Sequence, residues 1–145
     1  MNSRLDEMQA AILRERLQRL PAWTAQRRAI AARYRAHLAD GAVQVPREYD
    51  AGHVYHLFVI RVRSSRPRHD ARDALQASLR ARGIETLIHY PVPIPQQPAL
   101  DTAEPADCPI ANRVCAEVLS VPLYPSLADE EADLVATAIS AFRPA

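Results

Sequence analysis

No lysine occurs in this chain: among its 145 residues all 18 basic side chains are arginine. Lysine supplies the primary amine for Schiff-base chemistry. Arginine cannot replace it, because its guanidinium stays protonated and is a poor nucleophile. Any reaction that begins with such an amine is excluded for these residues alone. Glycine is nearly as scarce, at Gly41, Gly52 and Gly83 only, which excludes the glycine-rich loops that cradle phosphate. Cys108 and Cys115 are the two cysteines. On a helix their spacing is about 10 Å of rise, too far for a disulfide, and two thiols do not close a zinc site. No cluster of His, Asp and Glu has metal spacing, so no metal is expected. Apolar runs stop short of the roughly 18 residues a membrane span needs. The N-terminus is charged and amphipathic, without an apolar signal core, and a cytoplasmic location is the expectation. With 18 basic against 17 acidic residues and a net charge of +1, there is no footprint for nucleic acid or an anionic membrane.

What is present reads as one domain. A chain this long buries about 70% of its unfolded surface. Leu5, Met8, Ile12, Leu13, Leu17 and Leu20 form a helical stripe, with Asn2 or Ser3 as its cap and Asp6 and Glu7 in its first turn. Pro21 interrupts the pattern. A second helix follows, with Trp23, Ile30, Tyr34 and Leu38 on its apolar side, ending near Asp40-Gly41. Residues 42–45 predict a short strand. His53 to Val62 alternates and is apolar on both faces in its middle, which predicts a central strand. On it His56 falls in or near the core. A third helix runs from His69 to Arg82 and stops at Gly83. Glu85 to His89 is expected as a second main strand. Residues 91–109 hold too many prolines for a regular element, and a loop this long points to function. A short helix at 110–119, a strand at 121–123 and a helix from Ala128 to Phe142, capped by Ser126, complete the order. That order implies an α+β fold, helices packed on a small mostly antiparallel sheet.

Three blocks stand out in sequence order. The first is Asn2-Ser3-Arg4 with the helical stripe behind it. The second is Gly83-Ile84-Glu85-Thr86-Leu87-Ile88-His89-Tyr90-Pro91-Val92-Pro93-Ile94-Pro95-Gln96-Gln97-Pro98. The third is Glu117-Val118-Leu119-Ser120-Val121-Pro122-Leu123-Tyr124-Pro125. Together they resemble the C-terminal third of the DegT/DnrJ/StrS-type sugar aminotransferases, over residues 2–142. The resemblance implies the small C-terminal domain of the fold-type I architecture, with the N-terminal domain that binds pyridoxal 5'-phosphate (PLP) absent from residues 1–145. It also implies amination of a keto-sugar, usually nucleotide-linked, in a complete enzyme that is a homodimer.

On pattern alone Asn2 is a helix cap and Arg4 a solvated cation. The resemblance gives them other tasks: Asn2 on the PLP phosphate of the partner subunit, and Arg4 toward substrate at the same interface. An amide and a guanidinium near a helix start suit an anion. On pattern alone His89 is a core histidine and Tyr90 a packed tyrosine. The resemblance makes both substrate-binding residues of the sugar pocket. The chain departs from many relatives at Pro95, where they carry a second histidine. Proline has neither a side-chain donor nor a backbone N–H, so that contact is lost here. Ser120 lacks the strand–turn–helix context of a nucleophile, and no catalytic residue is assigned.

The absent lysine turns the resemblance into three expectations. The chain is the C-terminal part of a PLP-dependent sugar aminotransferase, supplying substrate and interface residues without catalysis of its own. Alternatively it is a stand-alone module that binds a nucleotide-sugar or a full-length aminotransferase. Or it is half of a split enzyme completed by a separate lysine-bearing domain. On the first expectation, Leu5, Met8 and Ile12 should be exposed where they once met other protein.

Overall fold

The computed structural model describes residues 6–39, 41, 43–63, 70–100 and 106–143. Helix α1 spans Glu7–Leu17 and α2 spans Leu20–Leu38. Asp6 caps α1, accepting the Gln9 N–H at 2.8 Å; Asn2 and Ser3, the expected caps, lie outside the described residues. Pro21 sits in the first turn of α2, where its missing N–H costs no hydrogen bond. The two helices are therefore separated only by Gln18 and Arg19.

Strands β1 (Val43–Gln44), β2 (Phe58–Val62) and β3 (Val118–Val121) form an antiparallel sheet in the order β1-β2-β3. β2 is central, as its apolar faces predict. Its register pairs Phe58 with Val121, Ile60 with Leu119 and Val62 with Val43. The strand is shorter than the alternation suggests. Tyr55 takes a positive φ of 49°, which no extended strand allows, so residues 53–57 are irregular and follow a turn at 51–52. There the His53 ring packs against Tyr55 in a tilted arrangement, the ring centroids 4.1 Å apart. His56 is exposed, and its carbonyl accepts from Arg27 at 3.3 Å. Its expected place near the core is thus corrected: the strand alternation that put it there begins two residues later.

Helix α3 (Asp70–Ala81) ends on Gly83 at φ 76°. The Ile84 N–H reaches Leu79 O and the Gly83 N–H reaches Arg80 O, both at 3.0 Å, a Schellman stop that needs glycine. Ile84 and Leu79 are both buried and close its apolar side. The expected strand at 85–89 is reduced to one bridge, Leu87 with Ser120. Two 3₁₀ turns, Ile94–Gln96 and Pro98–Leu100, interrupt the proline-rich loop. Helix α4 (Pro109–Glu117) runs directly into β3. Cys108 and Cys115 are free, half-buried thiols at either end of it. Helix α5 spans Asp129–Ser140 and is capped by Ala128, whose N–H donates to Glu131 at 3.1 Å. Ser126 does not cap it.

One core holds the fold. Phe58, Ile60 and Val62 of β2 join Tyr34 and Leu38 of α2, Leu75 and Leu79 of α3, Leu119 of β3 and Ile139 of α5. The Tyr34 hydroxyl donates to Pro122 O at 2.8 Å. α2 is tied to α5 by Arg33, which reaches Asp133 at 2.9 Å and Asp129 at 2.5 Å. Across β2, Arg61 donates twice to Glu117 of α4, at 3.0 and 2.6 Å. Helix α1 contributes nothing to this core: none of its residues is buried. Met8 is 75%, Ile12 52% and Leu17 60% exposed.

Candidate functional site

The second and third sequence blocks meet in space. After the Gly83 turn, the chain crosses beside β3. The Leu87 N–H reaches Ser120 O at 3.0 Å, and the Ser120 N–H reaches Leu87 O at 2.8 Å. Thr86 is steadied from α3 by Gln76, whose amide nitrogen lies 3.2 Å from Thr86 O. Two residues past the bridge, His89 Nδ1 lies 2.8 Å from Ser120 Oγ. Tyr90 then adopts φ 60°, a left-handed conformation that disfavours a side chain. It turns the backbone into the proline-rich loop and leaves the phenol 82% exposed. The loop is held by its glutamines: Gln97 donates to Val92 O and Gln96 to Asn112 Oδ1, both at 2.9 Å.

This crossing forms one wall of an open groove of about 1320 Å³ between α3, the 83–89 segment, β3 and α5. His89 and Ser120 line it, with Leu87, Leu123 and Leu134 as apolar surface and Arg80 and Glu131 as charge of both signs. Groove walls of this mixed kind suit a ligand that is part polar and part apolar. Tyr90 does not line the groove. The structure therefore separates the two substrate-binding candidates: His89 is half-buried on the wall, and Tyr90 projects to solvent at the loop's start. Asn2 and Arg4 lie outside the described residues.

The sequence placed Ser120 between a short helix and a short strand and gave it no role, yet in the structure it lies in β3 and is hydrogen-bonded to His89. The available signal was a hydroxyl in the otherwise apolar run Val118-Leu119-Ser120-Val121, since a buried polar group needs a partner. A smaller cleft of about 470 Å³, between Arg16, Trp23 and Pro125, contains none of the candidate residues. Among the described residues no group of three His, Cys, Asp or Glu side chains is placed to hold a metal. No helix among them is long and apolar enough to cross a membrane. The residues present do not fit a covalently held PLP, because no side chain supplies the amine.

Comparison with known proteins covers nearly the full chain. Residues 1–140 match the model of the DegT/DnrJ/EryC1/StrS aminotransferase family. The UDP-N-acetyl-3-dehydro-alpha-D-glucosamine 3-aminotransferase of Acidithiobacillus ferrooxidans is 41% identical over 140 residues, which is 95% of this chain and 36% of that protein. The dTDP-3-amino-3,6-dideoxy-alpha-D-galactopyranose transaminase of Aneurinibacillus thermoaerophilus is 38% identical over 143 residues, 98% of this chain and 38% of that one. Among solved structures, S. venezuelae DesV superposes with a TM-score of 0.83 at 40% identity, covering 97% of this chain and 37% of that one. The chain thus spans little more than a third of the length of the relatives it matches.

Proposed function

This chain belongs to the DegT/DnrJ/EryC1/StrS aminotransferase family, and on that premise we propose that it forms the C-terminal, substrate-facing part of a nucleotide-sugar aminotransferase. One observation carries the reading. The match runs end to end on this chain but reaches only 36–38% of the relatives, and the lysine their chemistry requires is absent from it. The complete enzyme uses PLP to move an amino group onto a keto-sugar. When bound, that cofactor supplies the electron sink for transamination, and its lysine belongs to an N-terminal domain beyond these residues.

The task of this chain is binding and orientation. His89 offers a ring nitrogen on the groove wall, and Tyr90 offers a phenol held out by strained backbone, a common feature of binding sites. Asn2 reaches the cofactor phosphate of the partner subunit in a homodimer, with Arg4 near the substrate at the same interface. The exposed α1 stripe supports a partner surface, since apolar patches of this kind mark protein contacts.

The test is to join this chain to the part of S. venezuelae DesV that it does not match. The joined protein is supplied with PLP, glutamate and a nucleotide-linked 3-keto-sugar, and the aminated sugar is measured. The expected result is amination by the joined protein and none by the chain alone. A joined protein that retains PLP yet leaves the keto-sugar unchanged overturns the reading. Tight binding of a nucleotide-sugar by the isolated chain would instead favour a stand-alone module.

A further inference from the structure

The hydrogen bond between His89 and Ser120 fixes more than a distance. Ser120 is 5% exposed, and its backbone N–H and C=O are both spent on Leu87. Its hydroxyl has one partner among the described residues, His89 Nδ1 at 2.8 Å. A hydroxyl carries one hydrogen, and a buried donor left without an acceptor costs about 1–3 kcal/mol. If Nδ1 carried the ring proton, it would donate to Oγ and leave the serine hydrogen with no acceptor there. If the hydroxyl donates to Nδ1, the serine hydrogen and Nδ1 are both satisfied. The neutral imidazole then carries its proton on Nε2. Nε2 has no partner among the described residues, and the ring lines the groove.

We propose that Ser120 is a positioning residue: its hydroxyl holds His89 in the Nε2–H tautomer, so that the groove wall presents one N–H donor to an acceptor oxygen of the bound sugar. The ligand in this statement rests on the function proposed above. The tautomer does not. A donor at Nε2 suits a carbonyl or ether oxygen. Without Ser120 the ring would exchange tautomers and present a lone pair for part of the time, which repels the same oxygen.

The tautomer is read directly by a long-range proton–nitrogen correlation spectrum of the 145-residue chain labelled with ¹⁵N-histidine, the His89 signals being those missing from His89→Gln. The expected spectrum shows a protonated Nε2 and an unprotonated Nδ1 for neutral His89. Ser120→Ala should give exchange-averaged nitrogens, and Ser120→Thr, which keeps the hydroxyl, should restore the wild-type pattern. A protonated Nδ1 in the unsubstituted chain overturns the proposal without any variant. So does a pattern that Ser120→Ala leaves unchanged.

In the joined aminotransferase, Ser120→Ala should raise KM for the keto-sugar about tenfold with little change in kcat, as loss of one oriented hydrogen bond predicts, and Ser120→Thr should recover it. If His89→Gln raises KM but Ser120→Ala does not, the positioning role is wrong. If neither changes KM, the ring is not a substrate contact, and the reading of His89 falls while the tautomer measurement keeps its meaning.

Discussion

Tyr34 and Tyr55 are both buried, and each donates its hydroxyl: Tyr34 to Pro122 O at 2.8 Å and Tyr55 to Glu48 at 2.6 Å. Burial pushes both phenols above their ordinary value, and for Tyr55 the hydrogen bond to Glu48 adds to the effect. The sign of the linkage follows. Above pH about 10 the unfolded tyrosine loses its proton while the folded one keeps it, so the folded state binds more protons. Stability is complete below that pH and falls as pH rises, by up to about 1.4 kcal/mol per unit for each fully protected phenol. Tyr34→Phe should cost about 1–2 kcal/mol at neutral pH through the orphaned carbonyl, and should flatten the alkaline decline measured by urea unfolding. Tyr90 makes the opposite case. Its φ of 60° costs a non-glycine residue about 1–2 kcal/mol, and its exposed ring is scarcely packed. Tyr90→Gly should therefore raise the unfolding free energy by about 0.5–1 kcal/mol after the entropy of the glycine is counted. Tyr90→Ala, which keeps the strain, should not. Neither the strain nor the burial of Tyr55 is legible in residue types, because both arise from where the rest of the chain forces the backbone to turn.

Elements whose stops are chemical were read well. Gly83 ends α3 and Pro21 opens α2, because each residue has a backbone property that acts locally. The weaker readings are those that depend on a neighbour. Residues 85–89 alternate well enough for a strand, yet only Leu87 pairs with β3, and its side chain is exposed. Beyond Leu87 the chain brings His89 against Ser120 and then turns at Tyr90. The junction of α4 with β3 depends on a different distant contact. Glu117, buried at the end of α4, takes both hydrogen bonds of Arg61 on β2. Glu117→Ala should cost about 2–3 kcal/mol, less than for a fully enclosed pair, because Arg61 still reaches water. Chemical denaturation at low and high salt checks this, and the loss should persist in salt if the pair is held mainly by its buried geometry.

At the scale of the molecule, α1 is the part that does not belong to the core. Its apolar residues recur at helical spacing in the sequence, and such a pattern normally finds its cover within the same domain. Here Met8, Ile12, Leu13 and Leu17 all face outward. Ile12→Glu should change the unfolding free energy of the chain by no more than about 0.5 kcal/mol, whereas Ile60→Ala in the core should cost about 2–5 kcal/mol. The pair of substitutions separates surface free of the core from surface needed for folding. If Ile12→Glu destabilises the chain as a core change would, α1 packs on its own domain and is not a partner surface.

Some of this protein follows from the sequence unaided. The absence of lysine is a fact of composition, and no fold can supply an amine that is not there. The α+β class, the central strand and the family resemblance follow from patterns a few residues long, set by helix period, strand alternation and the special backbones of glycine and proline. The groove, the bond from Ser120 to His89, the separation of His89 from Tyr90 and the bare face of α1 were decided only by the tertiary structure. Each of these depends on residues far apart in the chain being brought within bonding distance, or on none being brought there, and local pattern holds no information about either.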